Sequence, residues 1–149
     1  MFPNAKGSEQ LSLLTSIDPN NQAAGSSTSS WVALANHHNL LAVIQTGAMA
    51  NGSTVDAKLQ QATDATGTGA KDISGKAITQ LAQAANGASR QALINLRPDE
   101  VDANNGFTYV RVVVTVATAA AHTAAQLLGL DPRFAPADTA NQAAVAQIV

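Results

Sequence analysis

Few residues in this chain are of types and spacings that could do chemistry, and a glycine-rich segment is the first of them. Gly67-Thr68-Gly69 has the composition of a loop whose backbone N–H groups could cradle a phosphate. Such a loop also needs a following Gly-Lys-Ser/Thr and a strand-to-helix context, and the sequence offers neither. We therefore interpret the segment as a β-turn.

Two clusters contain residues that could hold a metal ion. His37 and His38 are adjacent, so on a strand they would point to opposite faces, and no neighbouring carboxylate completes a ligand set. Asp99, Glu100 and Asp102 share one short segment that lacks the ligand spacing of a calcium loop. We predict a solvated histidine turn, a solvated acidic turn, and no metal or cofactor.

Nucleophilic catalysis is not indicated either. The serines lack a Gly-x-Ser-x-Gly elbow, and His122 stands in an alanine-rich segment typical of a packed or interfacial histidine. We predict no catalytic residue and no enzymatic activity, although residues distant in sequence can converge in space. Trp31 could stack on a sugar, which leaves a carbohydrate-binding module as an alternative. A core anchor is favoured, because aromatic residues make up only 3% of the chain and sugar sites need exposed aromatics.

The strongest secondary-structure signal lies in residues 107–117. Val110, Val112, Val114 and Val116 alternate there with Tyr109, Arg111, Val113 and Thr115. β-branched side chains at every second position predict a strand that is buried on one face.

Shorter alternating segments predict further strands at residues 31–35, 40–46, 55–63, 76–82 and 90–97. Residues 55–63 also suit a helix by propensity, although we favour a strand, and residues 119–128 stay open between the two. Regular turn signals between short strands predict an all-β fold, an antiparallel β-sandwich with extended N- and C-terminal arms. The predicted core includes Trp31, Leu41, Val43, Leu59, Ile94, Leu96, Val110, Val112 and Val114.

Composition restricts the class of protein. The chain has 149 residues, which fits one domain, and it has no cysteine, so disulfides are excluded. A net charge of −2 without a basic cluster argues against direct nucleic-acid binding, and no apolar run is long enough for a membrane helix. Only 12% of residues are charged, which favours a surface buried against other subunits, including copies of the same chain.

We predict three regions: residues 1–30 as an N-terminal arm and linker, 31–135 as the sandwich domain, and 136–149 as a C-terminal arm. Asp18-Pro19-Asn20-Asn21 and the Ser/Thr-rich residues after it are typical of a linker. Because the N-terminus lacks the features of a signal peptide, we expect synthesis in the cytosol. We expect both arms to reach partner subunits through apolar anchors, namely Leu11, Leu13, Leu14, Ile17, Val145, Ile148 and Val149.

Six segments of the chain resemble small structural proteins encoded beside the capsid genes of tailed bacteriophages and prophages. They are residues 30–34, 41–47, 59–71, 95–102, 106–111 and 131–134. The likeness spans about 30–136, and its motifs are structural. It implies a β-sandwich on the capsid exterior of a virion assembled in the host cytoplasm. The implied role is a head decoration (cement) or minor capsid protein that binds the major capsid protein, with a neck or tail component as the alternative. It implies no catalytic residues.

Overall fold

The computed structural model describes residues 4–149, and ten β-strands account for most of this part of the chain. The strands are β1 (Leu11–Gln22), β2 (Gly25–Thr28), β3 (Val32–Ala33), β4 (His37–Met49), β5 (Thr54–Ala62), β6 (Lys71–Ala77), β7 (Leu81–Ala82), β8 (Gln91–Leu96), β9 (Tyr109–Ala117) and β10 (Ala121–Pro132). The helices are short: α1 (Gly7–Gln10) and four 3₁₀ turns at Gln83–Ala85, Pro98–Glu100, Ala103–Asn105 and Ala137–Ala140. Within the described residues, no helix has the length and apolarity needed to cross a bilayer.

The strands form two antiparallel sheets that pack face to face. One sheet has four strands in the order β1-β10-β4-β8. The other has six, in the order β2-β9-β5-β6, with β3 beside β9 and β7 beside β5. This arrangement confirms the predicted all-β sandwich.

The core between the sheets follows the valine alternation of β9. Val110, Val112, Val114 and Val116 are all buried. Leu59, Ile94 and Leu96 are also buried, as predicted. Burial of such side chains contributes roughly 1.5–3 kcal/mol each, so these rows supply much of the stability of the sandwich.

Three predicted core residues lie elsewhere. Leu41 and Val43 are only half-buried, because Leu40, Ala42 and Ile44 supply the inward face of β4. Both faces of β4 are apolar, so alternation alone could not decide which set points inward. Trp31, predicted as a core anchor, is half-buried at the surface.

The predicted N-terminal arm is wrong from Leu11 onward, and residues 1–3 of it lie outside the described residues. β1 pairs with β10 along its whole length, and β2 pairs with β9. The turn-rich residues 18–21 were predicted as a linker, but Asp18 and Pro19 fall at an irregularity within β1, and Asn20 and Asn21 pair with Thr123 and His122 of β10. Strands tolerate proline at edges and bulges, so Pro19 interrupts the pairing of β1 without ending the strand.

The segment left open between strand and helix, residues 119–128, belongs to β10, the strand between β1 and β4. Its inward positions include Ala121, Ala125 and Gly129. Alanine favours helix by propensity, but pairing with strands on both sides overrides that preference. The strand predicted for residues 55–63 is confirmed as β5.

Candidate functional site

Ser12 and His37 form the pair that most resembles a catalytic dyad. Ser12 Oγ lies 3.0 Å from His37 Nε2 and also donates a hydrogen bond to the backbone carbonyl of Ala137. A hydroxyl has one proton, so when it donates to Ala137, Nε2 must be the donor toward Ser12. His37 Nε2 therefore carries a proton.

This geometry opposes catalysis. Ser12 is 0% and His37 1% exposed, so a substrate cannot reach either. The hydroxyl proton points to Ala137 rather than to a base, and His37 Nδ1 has no hydrogen-bond partner among residues 4–149, so no carboxylate orients the ring. Burial lowers the pKa of His37. The predicted solvated turn is wrong for His37, which is buried, whereas His38 is exposed.

The glycine-rich loop is closed by its own carboxylate. Asp64 Oδ1 accepts hydrogen bonds from the backbone N–H groups of Thr66 at 2.9 Å and Thr68 at 3.1 Å. Hydrogen bonds from Thr68 and Thr66 hold the pKa of Asp64 well below its usual range. An ionised carboxylate thus occupies the N–H groups that a phosphate would need, which supports the turn interpretation.

The acidic segment is neutralised by nearby cations. Lys76 Nζ lies 2.8 Å from Glu100 Oε2, and Lys71 Nζ lies 2.5 Å from Asp102 Oδ2. These lysines are the main reason that the pKa values of Glu100 and Asp102 are lowered. Among residues 4–149, no three His, Cys, Asp or Glu residues are grouped so that they could hold a metal ion.

Neighbouring groups pack against the indole ring of Trp31, so the ring is not open for stacking on a sugar. The guanidinium carbon of Arg111 lies 4.5 Å from the ring centroid, a cation–π arrangement. The backbone of Gly67 approaches the indole so closely that a Cβ there would stand 2.5 Å from Trp31 Nε1. One ring face is therefore covered, which argues against a sugar platform.

An open groove of about 370 Å³ lies at one end of the sandwich. Its walls are mostly apolar, with Leu34, Val101 and Phe107 among them, and Arg133 is its one charged lining residue. The lining residues therefore lack the paired acid and base groups that general acid–base catalysis needs.

The outer surface of the four-stranded sheet is the most unusual feature of the molecule, and we call it the leucine face. It combines the outward residues of four strands, whose pairing in register places them side by side. These are Leu11, Leu13, Ser16, Asn21, Asn39, Leu41, Val43, Gln45, Gln91, Leu93, Asn95, His122, Ala124, Gln126, Leu128 and Leu130. None is Asp, Glu, Lys or Arg, and the apolar members remain half-buried or, for Leu93, 59% exposed.

The six-stranded sheet has the opposite character. Lys58 Nζ lies 2.7 Å from Asp72 Oδ2 across β5 and β6, and Arg111 donates to Gln60 Oε1 at 2.8 and 3.0 Å. Charged groups therefore mark this side as the one adapted to water. The contrast makes the leucine face the candidate binding surface.

The structure divides the predicted N-terminal anchors into two pairs. Leu11 and Leu13 lie on the leucine face, paired with Leu130 and Leu128 of β10. Ile17 is buried in the core of its own domain, and Leu14 packs against that core. Sequence reasoning thus found two residues of this face and missed the strands that complete it. The signal was present, because Leu41, Val43 and Leu128 stand in strands that are apolar at both alternating positions.

The C-terminal segment begins as a clasp on β1. Asn141 Oδ1 accepts from Leu13 N at 2.7 Å, and Gln142 N donates to Leu13 O at 2.7 Å. Ala137 is buried beside Ser12. This contact covers part of an open sheet edge, which would otherwise invite pairing with another chain. Residues 136–142 therefore do not reach away from the domain as predicted.

Beyond the clasp, the predicted C-terminal anchors differ in exposure. Val145 is half-buried, whereas Ile148 is 49% exposed and Val149 is fully exposed. The structure thus leaves an apolar tail at residues 143–149 that is available to a partner.

No family model matches the chain, and no curated protein matches it in sequence. The structure is similar to a chain of the infectious bursal disease virus Gt strain, with 11% identity and a TM-score of 0.42, covering 86% of this chain and 33% of that one. It is also similar to a chain of broad bean stain virus, with 13% identity and a TM-score of 0.40, covering 76% and 63%. A chain of the empty cowpea mosaic virus-like particle gives 12% identity and a TM-score of 0.45, covering 87% and 84%.

This chain therefore spans about a third of the bursal disease virus chain and less than two thirds of the bean stain virus chain. Likeness at TM-scores below 0.5 is too distant to assign a function.

Proposed function

We propose that this protein is a structural subunit of a tailed-bacteriophage virion that decorates and stabilises the capsid shell, and that it is not an enzyme. The observation that carries the proposal is the leucine face. An uncharged, leucine-rich sheet surface of this kind suits permanent burial between subunits, because desolvating it costs little compared with desolvating charged groups. The phage-type sequence resemblance of residues 30–136 supports the virion as the assembly.

Decoration of a shell would act through repetition. Each copy would make weak contacts with the shell. Many copies on one lattice would together bind far more tightly than one copy alone. Such a protein needs a rigid body and accessible apolar anchors rather than a catalytic cleft. The sandwich supplies the first, and the leucine face and the tail supply the second.

We propose that the tail is the contact with the major capsid protein. Ile148 is 49% exposed, so burying the exposed half at a partner would contribute roughly 0.7–1.5 kcal/mol, which corresponds to about three- to tenfold in affinity. Ile148→Asp should therefore weaken binding to capsids that lack this protein by at least that factor. Gln147→Asp is the matched control, since it places the same charge on the neighbouring exposed residue. Equal affinity of the two variants would exclude the tail as the anchor.

The copy number in purified virions tests the function itself. A decoration protein should approach the stoichiometry of the major capsid protein, as measured by quantitative mass spectrometry. A small fixed number of copies would instead favour the alternative of a neck or tail component. Absence from virions would refute both.

A further inference from the structure

The leucine face has the anatomy of an interface centre. Leu13, Leu128 and Leu41 stand in one register row across β1, β10 and β4. The next row places Gln126, Val43 and the protruding Leu93 side by side. Apolar side chains in two adjacent rows form a continuous patch, and contiguous apolar patches of this kind mark interaction sites on soluble proteins.

Charges stand around this patch rather than on it. Asp18 lies in the irregular part of the edge strand β1, where it accepts a hydrogen bond from Ser16 Oγ at 3.4 Å. Arg97 follows β8, and Asp131 lies near the end of β10, where it accepts a hydrogen bond from Asn39 at 2.6 Å. An apolar centre with a charged rim is typical of protein–protein interfaces. It also bears on the choice of partner. A surface that meets its own copy about a two-fold axis must be self-complementary. A charge at the centre of such a surface would face the same charge on the other copy and repel it, so an uncharged centre suits pairing of two copies.

The size of the face fits a pair of copies. β1 and β10 have 12 residues each, β4 has 13 and β8 has 6. At about 3.3 Å per residue and about 4.8 Å between strands, the face covers roughly 650 Å². Two such faces together would bury roughly 1,300 Å², which lies within the range of about 1,200–2,000 Å² for stable interfaces.

We propose that the leucine face binds the same face of a second copy of this chain, so that two four-stranded sheets stack across a two-fold axis. The proposal rests on the proposed structural function and names the partner of its main surface. In the pair, Leu93 of each copy enters the apolar surface of the other, and the charged six-stranded sheets face outward.

Sedimentation velocity of the purified full chain tests the pairing. The native protein should sediment at twice the mass of the 15.1 kDa chain, whereas Leu93→Lys should sediment as a monomer. Ser74→Lys, on an exposed position of β6 in the other sheet, is the matched control and should remain a dimer. Far-UV circular dichroism should give the same β spectrum for all three proteins, because Leu93 is not part of the core.

Two results would overturn the pairing. One is a native protein that stays monomeric at concentrations well above the micromolar range. The other is a dimer that survives Leu93→Lys together with Leu41→Lys. If the isolated protein were monomeric but its leucine face became protected from hydrogen exchange on capsids, the partner would be the capsid protein. The pairing would then fail while the proposed function stood.

Discussion

Gly129→Ala should destabilise this protein sharply, against the usual trend for such a change. Replacing glycine by alanine in a strand normally stabilises slightly, because it restricts the unfolded chain. At Gly129, however, a Cβ would stand 2.5 Å from His37 Cδ2 and 2.6 Å from both Cγ and Nε2. Ordinary contacts are about 3.4–4 Å, so the imidazole ring would have to move by about 1 Å.

The ring has little freedom to move. His37 is 1% exposed, and its Nε2 is held by Ser12, which is held in turn by Ala137. Overpacking of this kind costs about 1–3 kcal/mol, and losing the buried hydrogen bond adds about 1 kcal/mol. Because the free energy of unfolding of a small domain falls by about 2 kcal/mol per molar urea, the urea midpoint should fall by about 1–2 M.

Urea unfolding followed by the fluorescence of Trp31 measures this loss, and a double-mutant cycle assigns its cause. In a His37→Ala background the clash is absent, so Gly129→Ala should then cost nothing or stabilise slightly. An equal loss of free energy of unfolding in both backgrounds would refute the role of the His37 ring.

Three further outcomes follow from the same structure. Because burial lowers the pKa of His37, the unfolded chain binds its proton more readily. The free energy of unfolding that buried His37 contributes should be complete above its ordinary pKa of 6.5 and decline as the pH falls below that value. The difference in urea midpoint between native protein and His37→Gln, measured from pH 7.5 to 5, should show that decline, and a constant difference would contradict it. Ser12→Ala should lower the free energy of unfolding by about 1–3 kcal/mol, because it leaves the buried carbonyl of Ala137 without its donor. An unchanged thermal unfolding temperature would argue against the clasp. Gly67→Ala, at φ +89° and against the indole of Trp31, should lower stability by about 1–3 kcal/mol and shift the tryptophan emission, and an unchanged spectrum would exclude that contact.

The parts of the fold that could be predicted are those where one alternating set is clearly more apolar than the other. In β9 the valines at even positions alternate with Tyr109, Arg111, Val113 and Thr115, and only Val113 of that second set is apolar without a polar group, so the even face was the clear choice. The strand assignment of residues 55–63 also held, since Val55, Ala57 and Leu59 all point inward.

The N-terminal region could not be predicted, because its stabilising contacts are distant in sequence. Asp18 and Pro19 are good turn formers, and local chemistry alone favours a linker. The strand exists because β1 pairs with β10, about a hundred residues later. The burial of Ser12 and His37 has the same origin, since they meet only when β1, β4 and the C-terminal clasp come together.

The ambiguity that prevented prediction of the inward face of β4 bears on the proposed pairing of two copies. A strand in a free sandwich needs one apolar face, since its other face meets water. β4 carries Leu40, Ala42 and Ile44 inward, yet it also carries Leu41 and Val43 outward. β1 and β10 repeat the pattern with leucines on the outward side. The three long strands of this sheet carry apolar side chains on both faces, so both faces are suited to burial. The six-stranded sheet of the same domain buries only one of them. We propose that the second cover comes from another chain, so that an uncharged strand surface, rather than a cleft, is the binding element of this molecule.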